Sequence, residues 1–480
     1  MKTIEEQIFE HVQKTPDKVA LISGDTEITY VQLWNECLRA ASKLQTEYHL
    51  QKGDRVILSA AGNIEFVYVY FGVHIAGGIC VPIDPDTNQT RFEYIEKSTT
   101  PVCVMGTLHN VKRDTISFES VVDSDTKSVY AIPDVGQVAD VLFTTGTTGA
   151  PKGVALSYSN LSAAARNINT FIGNTHDDIE LLALPVSHSF GLGRLRCSLS
   201  LGATVVMLGT FANVKKFFKE MTRCHVTMFA MVPASWGYIK KMSGKYIGRF
   251  AEQLKFIEIG SSFMPKEDKE LLMSMLPNTR ICMHYGSTEA SRSAFMEFHA
   301  YKDNLLSIGK ASPYVEIKIF KSTGLPAAIG EEGEICVKGE HVTCSYWKET
   351  PERFASDFYD GYFRTGDCGT MDADGNIYLK SRIKEMINVG GKKVSPMEVE
   401  DILNKIPGIK ESACIGIPDP GVVLGEVVKA FIVADTGLTD EEIMAQLRPQ
   451  LEVYKLPVEI ERINEIPKTT SGKIQRLKLK

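Results

Sequence analysis

The chain has 480 residues, of which 44% are hydrophobic and 23% charged, and its formal net charge is −6 at pH 7. This balance excludes an intrinsically disordered chain, and the length predicts two or three domains of roughly 100–200 residues each. A nucleic-acid-binding protein normally carries a basic excess, so we expect no nucleic-acid partner.

Targeting and membrane segments are not indicated. The segment from Met1 to Leu21 alternates acidic and apolar residues and has no continuous apolar core, so it is not a signal peptide. The apolar stretch Phe66 to Ile83 is nearly long enough to cross a bilayer, but it contains His74, glycines and a proline. A buried helix that runs into a strand is the better interpretation, and we expect no membrane span. The ten cysteines form no CxxC pair, which predicts reduced, mostly buried thiols in a cytoplasmic protein.

Along most of the chain, short apolar runs alternate with helical patterns. The predicted strands are "GDRVILSA", "GGICVPID", "ADVLFTT", "GATVVML", "VTMFAMV" and "LKFIEIG". Tyr30–Glu47 and Val214–Arg223 are predicted helices between them. This alternation is typical of α/β domains, in which helices cover parallel or mixed sheets.

After Gly309 the pattern changes. "VEIKIF", "EEGEICVKG" and "GNIYLKSR" are separated by Gly and Asp turns, which predicts antiparallel strands. From about Lys384 a compact α+β pattern follows, with "PMEVEDILNKI" and "TDEEIMAQLRPQL" as helices and "ESACIGIPD" and "VVKAFIVAD" as strands. The predicted fold class is therefore a large N-terminal α/β and β portion, residues 1–381, with a small C-terminal α+β portion, residues 382–480.

A loop rich in glycine and threonine lies between Val141 and Leu161, where an apolar strand precedes it and a helix is predicted to follow. Backbone N–H groups of such a loop can converge on one anion. The candidate donors are Thr144, Thr145, Gly146, Thr147, Thr148 and Lys152. A lone "GTTG" would be read as a surface turn, and the Walker A pattern is not satisfied because Pro151 interrupts it. These donors suit a polyphosphate, and the motifs elsewhere in the chain decide between this interpretation and a surface turn.

Seven motifs in a fixed order resemble the adenylate-forming superfamily, which includes acyl-CoA synthetases, aryl-CoA ligases, luciferases and the adenylation domains of peptide synthetases. The resemblance is closest to acyl- and aryl-CoA ligases and covers nearly the whole chain. The motifs are "GVHIAGGICVPIDP", "TTGTTGAPKG", "LPVSHSFGLG", "HYGSTEA", "GYFRTGD", "SRIKEMINVGGKKVSPMEVE" and "PKTTSGKIQR". Two departures are Ser381, where the family has glycine, and "GSSFMP" at 260–265, where many members have a Gly/Ala-rich stretch lining adenine and substrate.

The resemblance implies an ATP-dependent ligase that activates a carboxylic acid as acyl-AMP, releases pyrophosphate, and transfers the acyl group to coenzyme A. ATP, Mg²⁺ and coenzyme A are the implied cofactors and co-substrates. The implied roles are phosphate binding by the loop from Thr144 to Lys152, Mg²⁺ coordination by Glu289, α-phosphate contact by Thr288, adenine stacking by Tyr285, ribose binding by Asp367, ribose or phosphate contact by Arg382, shaping of the acid and thiol channel by His188, and adenylation by Lys473.

The resemblance also implies that the C-terminal portion is a mobile lid, with a hinge at Lys384 and a thiol channel lined by Gly391 once the lid has turned. Two alternatives stay open. One is a free-standing enzyme that loads the phosphopantetheine of a carrier protein. The other is a non-catalytic nucleotide-binding homologue, which is disfavoured because a sensor would not need Lys473.

The class of acid follows from the residues after Phe190. Amino-acid-activating relatives place an aspartate directly after this aromatic residue, whereas this chain has Gly191, Leu192 and Gly193. Burying an unpaired ammonium group costs several kcal/mol. We therefore expect open, uncharged space beside His188, a fatty or aryl acid with an apolar body, and rejection of α-amino acids.

Overall fold

The computed structural model describes residues 1–122, 131–144, 151–421, 425–435, 437–469 and 472–479. The helices are α1 (Ile4–Lys14), α2 (Tyr30–Thr46), α3 (Ile64–Ile75), α4 (Gln89–Thr99), α5 (Phe118–Val122), α6 (Tyr158–Ile172), α7 (Ser189–Ser200), α8 (Val214–Arg223), α9 (Pro233–Ser243), α10 (Lys266–Met275), α11 (Pro351–Ala355), α12 (Pro396–Leu403) and α13 (Asp440–Leu447). Short 3-10 helices cover Tyr246–Phe250, Ile383–Glu385, Val453–Lys455 and Arg476–Leu479.

The strands are β1 (Val19–Ser23), β2 (Thr26–Thr29), β3 (Arg55–Ser59), β4 (Ile79–Ile83), β5 (Cys103–Met105), β6 (Val138–Phe143), β7 (Gly153–Ser157), β8 (Ile179–Leu182), β9 (Thr204–Met207), β10 (Met228–Met231), β11 (Phe256–Ile259), β12 (Arg280–Tyr285), β13 (Ala294–Glu297), β14 (Lys310–Ala311), β15 (Glu316–Phe320), β16 (Gly333–Lys338), β17 (Ser345–Tyr346), β18 (Phe358–Tyr359), β19 (Tyr362–Met371), β20 (Ile377–Arg382), β21 (Ile387–Val389), β22 (Lys392–Val394), β23 (Ile409–Pro418), β24 (Glu426–Ala434) and β25 (Glu459–Arg462).

The described strands form two large sheets, one five-stranded antiparallel sheet, a two-stranded sheet of β21 and β22, and a three-stranded C-terminal sheet. A nine-stranded sheet has the order β14-β13-β12-β11-β10-β8-β9-β1-β2, and a six-stranded sheet the order β17-β7-β6-β4-β3-β5. A five-stranded sheet joins β15, β16, β19, β18 and β20, and a three-stranded sheet joins β23, β24 and β25. The predicted α/β plus β fold class is confirmed.

Parallel pairing of β10, β11 and β12 fixes where a cleft can form. The carboxyl ends of these strands lie at one edge of the nine-stranded sheet, where ligands of open α/β sheets normally bind. The segments that leave this edge begin at Val232, Gly260 and Gly286. "GSSFMP" and "YGSTE" are therefore neighbours in space although they are distant in sequence.

The predicted strands are present, and α8 has its predicted bounds. The stretch from Phe66 to Ile83 forms the rest of α3 and then β4, and no helix among the described residues has the length and apolarity needed to cross a membrane. All ten cysteines are free thiols, and all but Cys344 are buried. These features agree with the sequence analysis.

The loop after β6 was expected to lead into a helix, and this prediction is wrong. Residues Gly153–Ser157 form β7, which pairs antiparallel with β6, and α6 begins only at Tyr158. The physical reason is burial, because all five residues of β7 are buried and an apolar run of that length fits an inner strand. The loop is thus the connection of a β-hairpin.

A buried charged network ties this hairpin to α3 and α7. Asp140 of β6 accepts hydrogen bonds from Tyr70 (2.9 Å), His74 (3.1 Å) and Arg196 (2.6 Å). His74 also lies 2.7 Å from Glu5. Burial opposes the charge on His74, yet its surroundings raise its pKa well above the ordinary value. Removing one partner of such a network leaves a buried charge uncompensated, so it holds these elements in a fixed arrangement.

Candidate active site

One wall of the cleft is built from two neighbouring strands. Asp367 of β19 and Arg382 of β20 are opposite each other in the antiparallel register. One carboxylate oxygen of Asp367 lies 2.9 Å from Nε of Arg382, and the other accepts a 2.6 Å hydrogen bond from the Tyr285 hydroxyl. Burial raises the pKa of Asp367, while Arg382 and Tyr285 favour its ionised form. The structure therefore brings together three residues that were predicted from separate motifs.

The opposite wall carries the predicted metal and phosphate residues. Glu289 accepts a 3.1 Å hydrogen bond from the hydroxyl of Tyr346, and the ammonium group of Lys152 lies 4.5 Å from the centre of the Tyr346 ring. Thr144 donates its backbone N–H to the carbonyl of Lys152 at 2.9 Å, which closes the base of the loop. Tyr346 thus contacts both the predicted metal ligand Glu289 and the predicted phosphate-binding residue Lys152.

Four of the predicted loop donors cannot be assessed from this structure. Thr145, Gly146, Thr147 and Thr148 lie outside the described residues. Their phosphate-binding role stays a prediction.

The turn that carries Lys473 lies against the N-terminal portion. A Cβ placed on Gly472 would lie 3.6 Å from Oγ of Ser262 and 3.7 Å from Cβ of Ala234. Lys473 is accessible to solvent within the crowded cleft, and partial burial together with Arg382 lowers its pKa, which Asp367 and Glu289 raise. Lys473 therefore shares the cleft with the predicted ribose and metal carboxylates.

His188 lies at the N-terminal end of α7. Its Nε2 atom is buried and has no hydrogen-bond partner within the described part of the chain. Burial lowers the pKa of His188, and the positive charges of Arg91 and Lys473 lower it further. A neutral imidazole with an unused nitrogen is thus available next to the acid motif.

Thr288 is half-buried, close to the start of α7. It lines a small cavity together with Ser189, Gly193 and Arg292. The predicted α-phosphate contact and two residues of the acid motif, Ser189 and Gly193, therefore line the same cavity.

The predicted hinge and thiol-channel residues lie away from the cleft. Lys384 is exposed in the 3-10 helix that follows Arg382. Gly391 is exposed in the turn between β21 and β22 with φ +84°, and a Cβ there would meet no atom within 4 Å. The role of Lys384 as a hinge and that of Gly391 in a thiol channel stay predictions.

The space expected beside the acid motif is filled, so that prediction is wrong. A Cβ on Gly191 would lie 2.3 Å from the carbonyl oxygen of Pro185, and one on Gly193 would lie 2.5 Å from Nη1 of Arg292. The glycines permit close packing of α7 against a backbone segment and a guanidinium group. The only space found beside them within the described residues is the small cavity shared with Thr288, and the Arg292 guanidinium places a charge at it.

Sequence reasoning missed four residues at this site: Tyr346, Glu258, His284 and Arg292. The only available signal for Glu258 was a carboxylate within the apolar strand "FIEI", where it is fully buried. Arg292, also buried, donates to the carbonyls of Ser189 and Phe190 and to Glu258. These partners come from segments far apart in sequence, and no local pattern announces them.

Comparison with known proteins agrees with this geometry. The family model described as AMP-binding enzyme matches residues 8–347, and that of the AMP-binding enzyme C-terminal domain matches residues 398–473. The chain is 31% identical to an oxalate–CoA ligase of Arabidopsis thaliana, over 97% of this chain and 95% of that protein. It is 30% identical to a long-chain-fatty-acid–CoA ligase of Bacillus subtilis, over 100% and 94%.

A solved structure is similar over nearly its whole length. The o-succinylbenzoate CoA synthetase of Bacillus subtilis, in complex with its acyl-adenylate intermediate, aligns with a TM-score of 0.90 at 26% identity, covering 99% of this chain and 97% of that one. The same enzyme has been solved with ATP and a magnesium ion, and that structure aligns with a TM-score of 0.89.

Proposed function

The chain belongs to the AMP-binding enzyme family, and we propose that it is an AMP-forming acid–thiol ligase that makes acyl-CoA from a carboxylic acid, ATP and coenzyme A. The observation that carries this proposal is the meeting of Lys473 with Asp367, Glu289 and Arg382 in one cleft. These residues come from four motifs that are spread between residues 289 and 473. A nucleotide sensor would have no use for the lysine.

Acid activation requires a carboxylate to attack the α-phosphate of ATP while pyrophosphate leaves. Two anions must approach each other, so fixed donors and cations must offset their repulsion. We assign ribose binding to Asp367, whose two oxygens are already oriented by Tyr285 and Arg382. Lys473 would lie between the attacking carboxylate and the α-phosphate. Thr288 would donate to the same phosphate.

The phosphate end of the site is suited to Mg²⁺. Glu289 is a half-buried carboxylate, and Tyr346 is the one hydrogen-bond donor to its side chain within the described residues. An oxygen-ligating hard cation fits such a group. When bound, Mg²⁺ would neutralise charge on the phosphate oxygens. Lys152, held over the Tyr346 ring, would contribute positive charge beside it.

The second half-reaction needs a thiol. The named relatives are CoA ligases and a CoA synthetase, which supports coenzyme A over the phosphopantetheine of a carrier protein. We propose that the lid turns about Lys384 and brings Gly391 to the cleft for this step. Both residues are exposed, and Lys384 lies in the short segment that follows β20.

The acid is the least determined substrate, because the relatives act on acids as different as oxalate and long-chain fatty acids. We propose that α-amino acids are rejected. No carboxylate follows Phe190, and the buried carboxylate of Glu258 is already neutralised by Arg292 at 3.0 Å and Arg194 at 3.4 Å. A substrate ammonium would therefore find no free partner charge on this side.

Acid-dependent release of pyrophosphate tests the proposal directly. With Mg-ATP and a panel of carboxylic acids, at least one acid should give pyrophosphate and AMP, and adding coenzyme A should give the acyl-CoA. Free coenzyme A should outcompete a phosphopantetheinylated carrier protein as acceptor. ATP binding with no acid-dependent pyrophosphate from any member of the panel would contradict the proposal.

A further inference from the structure

The turn that carries Lys473 is closed by its own backbone. Thr469 donates its N–H to the carbonyl of Lys473 at 2.8 Å, and Lys473 donates its N–H to Oγ1 of Thr469 at 3.1 Å. Gln475 donates its N–H to the carbonyl of Pro467 at 2.8 Å, so the two ends of the turn lie side by side. The direction in which the Lys473 side chain extends therefore depends on how these two ends are attached to the rest of the lid.

One end of the turn is attached by an exposed ion pair. Nζ of Lys468 lies 2.7 Å from Oε1 of Glu411 on β23, and both side chains are exposed to solvent. Solvent and salt screen an exposed pair of this kind, and its long side chains keep much of their freedom. This pair therefore does little to fix the direction of Lys473.

The other end of the turn is attached by a buried ion pair. Nη2 of Arg476 donates to both carboxylate oxygens of Glu400, at 2.7 Å and 2.8 Å. The two side chains are only 12% and 8% exposed. Glu400 also accepts the backbone N–H of Cys414 at 2.6 Å, which fixes the carboxylate against β23. Because charge-assisted hydrogen bonds are stronger and more directional away from water, Arg476 holds its end of the turn at one place on α12.

The same arginine faces the segment that follows the predicted hinge. Nε of Arg476 is buried and has no hydrogen-bond partner in the described part of the chain, and it lies 3.6 Å from Oε2 of Glu385. Glu385 directly follows Lys384. Arg476 thus lies between α12 and the start of the lid, so a rotation at Lys384 would carry the turn, α12 and this segment as one unit.

Glu400 is charged under mildly alkaline conditions. Burial, with the negative charges of Glu385 and Asp401 nearby, raises the pKa of Glu400 to about 7, although Arg476 and the Cys414 N–H favour its ionised form. The ion pair with Arg476 is therefore present at pH 8, which is the pH for the measurements below.

Apolar packing attaches the segment to the lid independently of this ion pair. Ile474, which lies between Lys473 and Arg476, packs against a buried cluster that contains Ala413 and Phe431 of the C-terminal sheet. The segment should therefore stay on the lid when the ion pair is removed. What is lost is the fixed direction of the side chain of Lys473.

We infer that Arg476 and Glu400 are positioning residues for acyl-AMP formation, because their buried ion pair holds the turn so that the ammonium group of Lys473 reaches the cleft beside Asp367 and Glu289. This inference rests on the proposed function and adds two residues to its first half-reaction. Both residues act through Lys473 and not on the reacting atoms.

Substitutions at Arg476 test the inference when the two half-reactions are measured separately. Arg476→Met keeps an extended side chain and removes its charge and its donors. It should slow acyl-AMP formation by about 10–100-fold, because a displacement of about 1 Å of a group that acts on the transition state has an effect of this size. Conversion of supplied acyl-AMP to thioester should stay within about twofold of the wild type. Arg476→Lys, which keeps the charge but has fewer donors, should recover part of the lost rate.

The other end of the same turn provides the matched control. Lys468→Met removes the exposed pair with Glu411 and should leave both half-reactions unchanged. Glu400→Gln keeps the shape of the side chain and one acceptor oxygen but removes its charge. It should give a smaller loss that is again confined to acyl-AMP formation. If Arg476→Met does not fold, Arg476→Lys and Glu400→Gln provide the same comparison.

A double substitution shows whether Arg476 acts through Lys473. In a Lys473→Ala background, Arg476→Met should slow acyl-AMP formation by no more than about twofold further, because the group that Arg476 positions is absent. A further loss of about 10-fold would overturn the inference, and so would an equal loss in both half-reactions or a normal rate of acyl-AMP formation in the single Arg476 variants. These results would leave the ligase assignment intact. Absence of acyl-AMP from the wild-type enzyme with every acid would contradict the ligase assignment itself.

Discussion

The charged groups on the walls of the cleft have partners, whereas the charged group on the lid turn that closes the cleft has none among the described residues. On the walls, Asp367 has partners on both oxygens, and Glu258 lies between two arginines. On the lid, Nζ of Lys473 has no hydrogen bond or ion pair among the residues that the structure describes. Groups that are fixed before the substrate arrives bind its ground state, whereas an uncommitted cation on a movable element can act on charge that develops during the reaction.

Removing that cation gives the largest expected effect. Lys473→Ala should slow acyl-AMP formation by about 10²–10³-fold, the usual cost of losing one preorganised donor to a transition state. Conversion of supplied acyl-AMP to thioester should continue, because the walls are intact. Both half-reactions are measured separately, with Lys478→Ala as an exposed lysine control on the same C-terminal segment. Equal loss in both half-reactions would refute the division of labour between wall and lid.

The same cation predicts a pH dependence for one half-reaction. Partial burial and Arg382 lower the pKa of Lys473 from the ordinary value of about 10.4, so its charge is present at low pH and is lost earlier than usual as the pH rises. The rate of adenylation should therefore decline at a pH below the pKa of an ordinary lysine. Thioester formation from supplied acyl-AMP should not follow this decline. A flat adenylation profile up to pH 10.5 would contradict the role of the ammonium group.

A substitution that restricts rotation of the lid should affect thioester formation and leave adenylation intact. Lys384→Pro fixes φ near −65° and disfavours the helical conformation of Ile383, so it should restrict rotation about the hinge. Adenylation should persist. Thioester formation should fall by about 10-fold or more, because the restricted rotation of the lid becomes rate-limiting. Lys384→Ala is the control and should be nearly silent because the side chain is exposed. A normal thioester yield from the proline variant would show that Lys384 is not the hinge residue.

The sequence predicted the site residues that lie in short motifs better than those that form buried ion pairs. Asp367, Arg382 and Tyr285 were found because each lies in a short motif, and strand register then brings them together. Glu258 and Arg292 were not found, because a buried ion pair depends on contacts between distant segments. The glycines after Phe190 were misread for the same reason, since their neighbours, Pro185 and Arg292, are set by tertiary packing.

Tyr346 links both charged groups of the phosphate wall, so two substitutions should separate its contributions. Tyr346→Phe removes the hydroxyl that donates to Glu289 and should raise the Mg²⁺ concentration needed for half-maximal adenylation by about 3–10-fold. Tyr346→Leu also removes the ring beneath Lys152 and should raise the KM for ATP a further few-fold.

The control for Tyr346 is Tyr362→Phe, which loses a similar hydroxyl contact to Glu316 elsewhere in the N-terminal portion. It should leave both parameters unchanged. If Tyr346→Phe raised neither of them, Tyr346 would be a packing residue of β17 and not part of the phosphate wall.

The smallest effect is expected where wall and lid join. Ser381 replaces the family's glycine in β20, where it is buried and its hydroxyl lies 2.6 Å from the sulfur of Met386. Ser381→Gly loses this weak hydrogen bond and adds backbone freedom, a cost of about 0.5–1 kcal/mol. Both half-reactions should change less than about twofold, and Tm should fall by only a few degrees, since the backbone direction that feeds the hinge is set by pairing of β20 with β19. A selective change of about 10-fold or more in thioester formation would instead make the Ser381 side chain part of the moving hinge, and the boundary between fixed wall and mobile lid would then lie before Arg382.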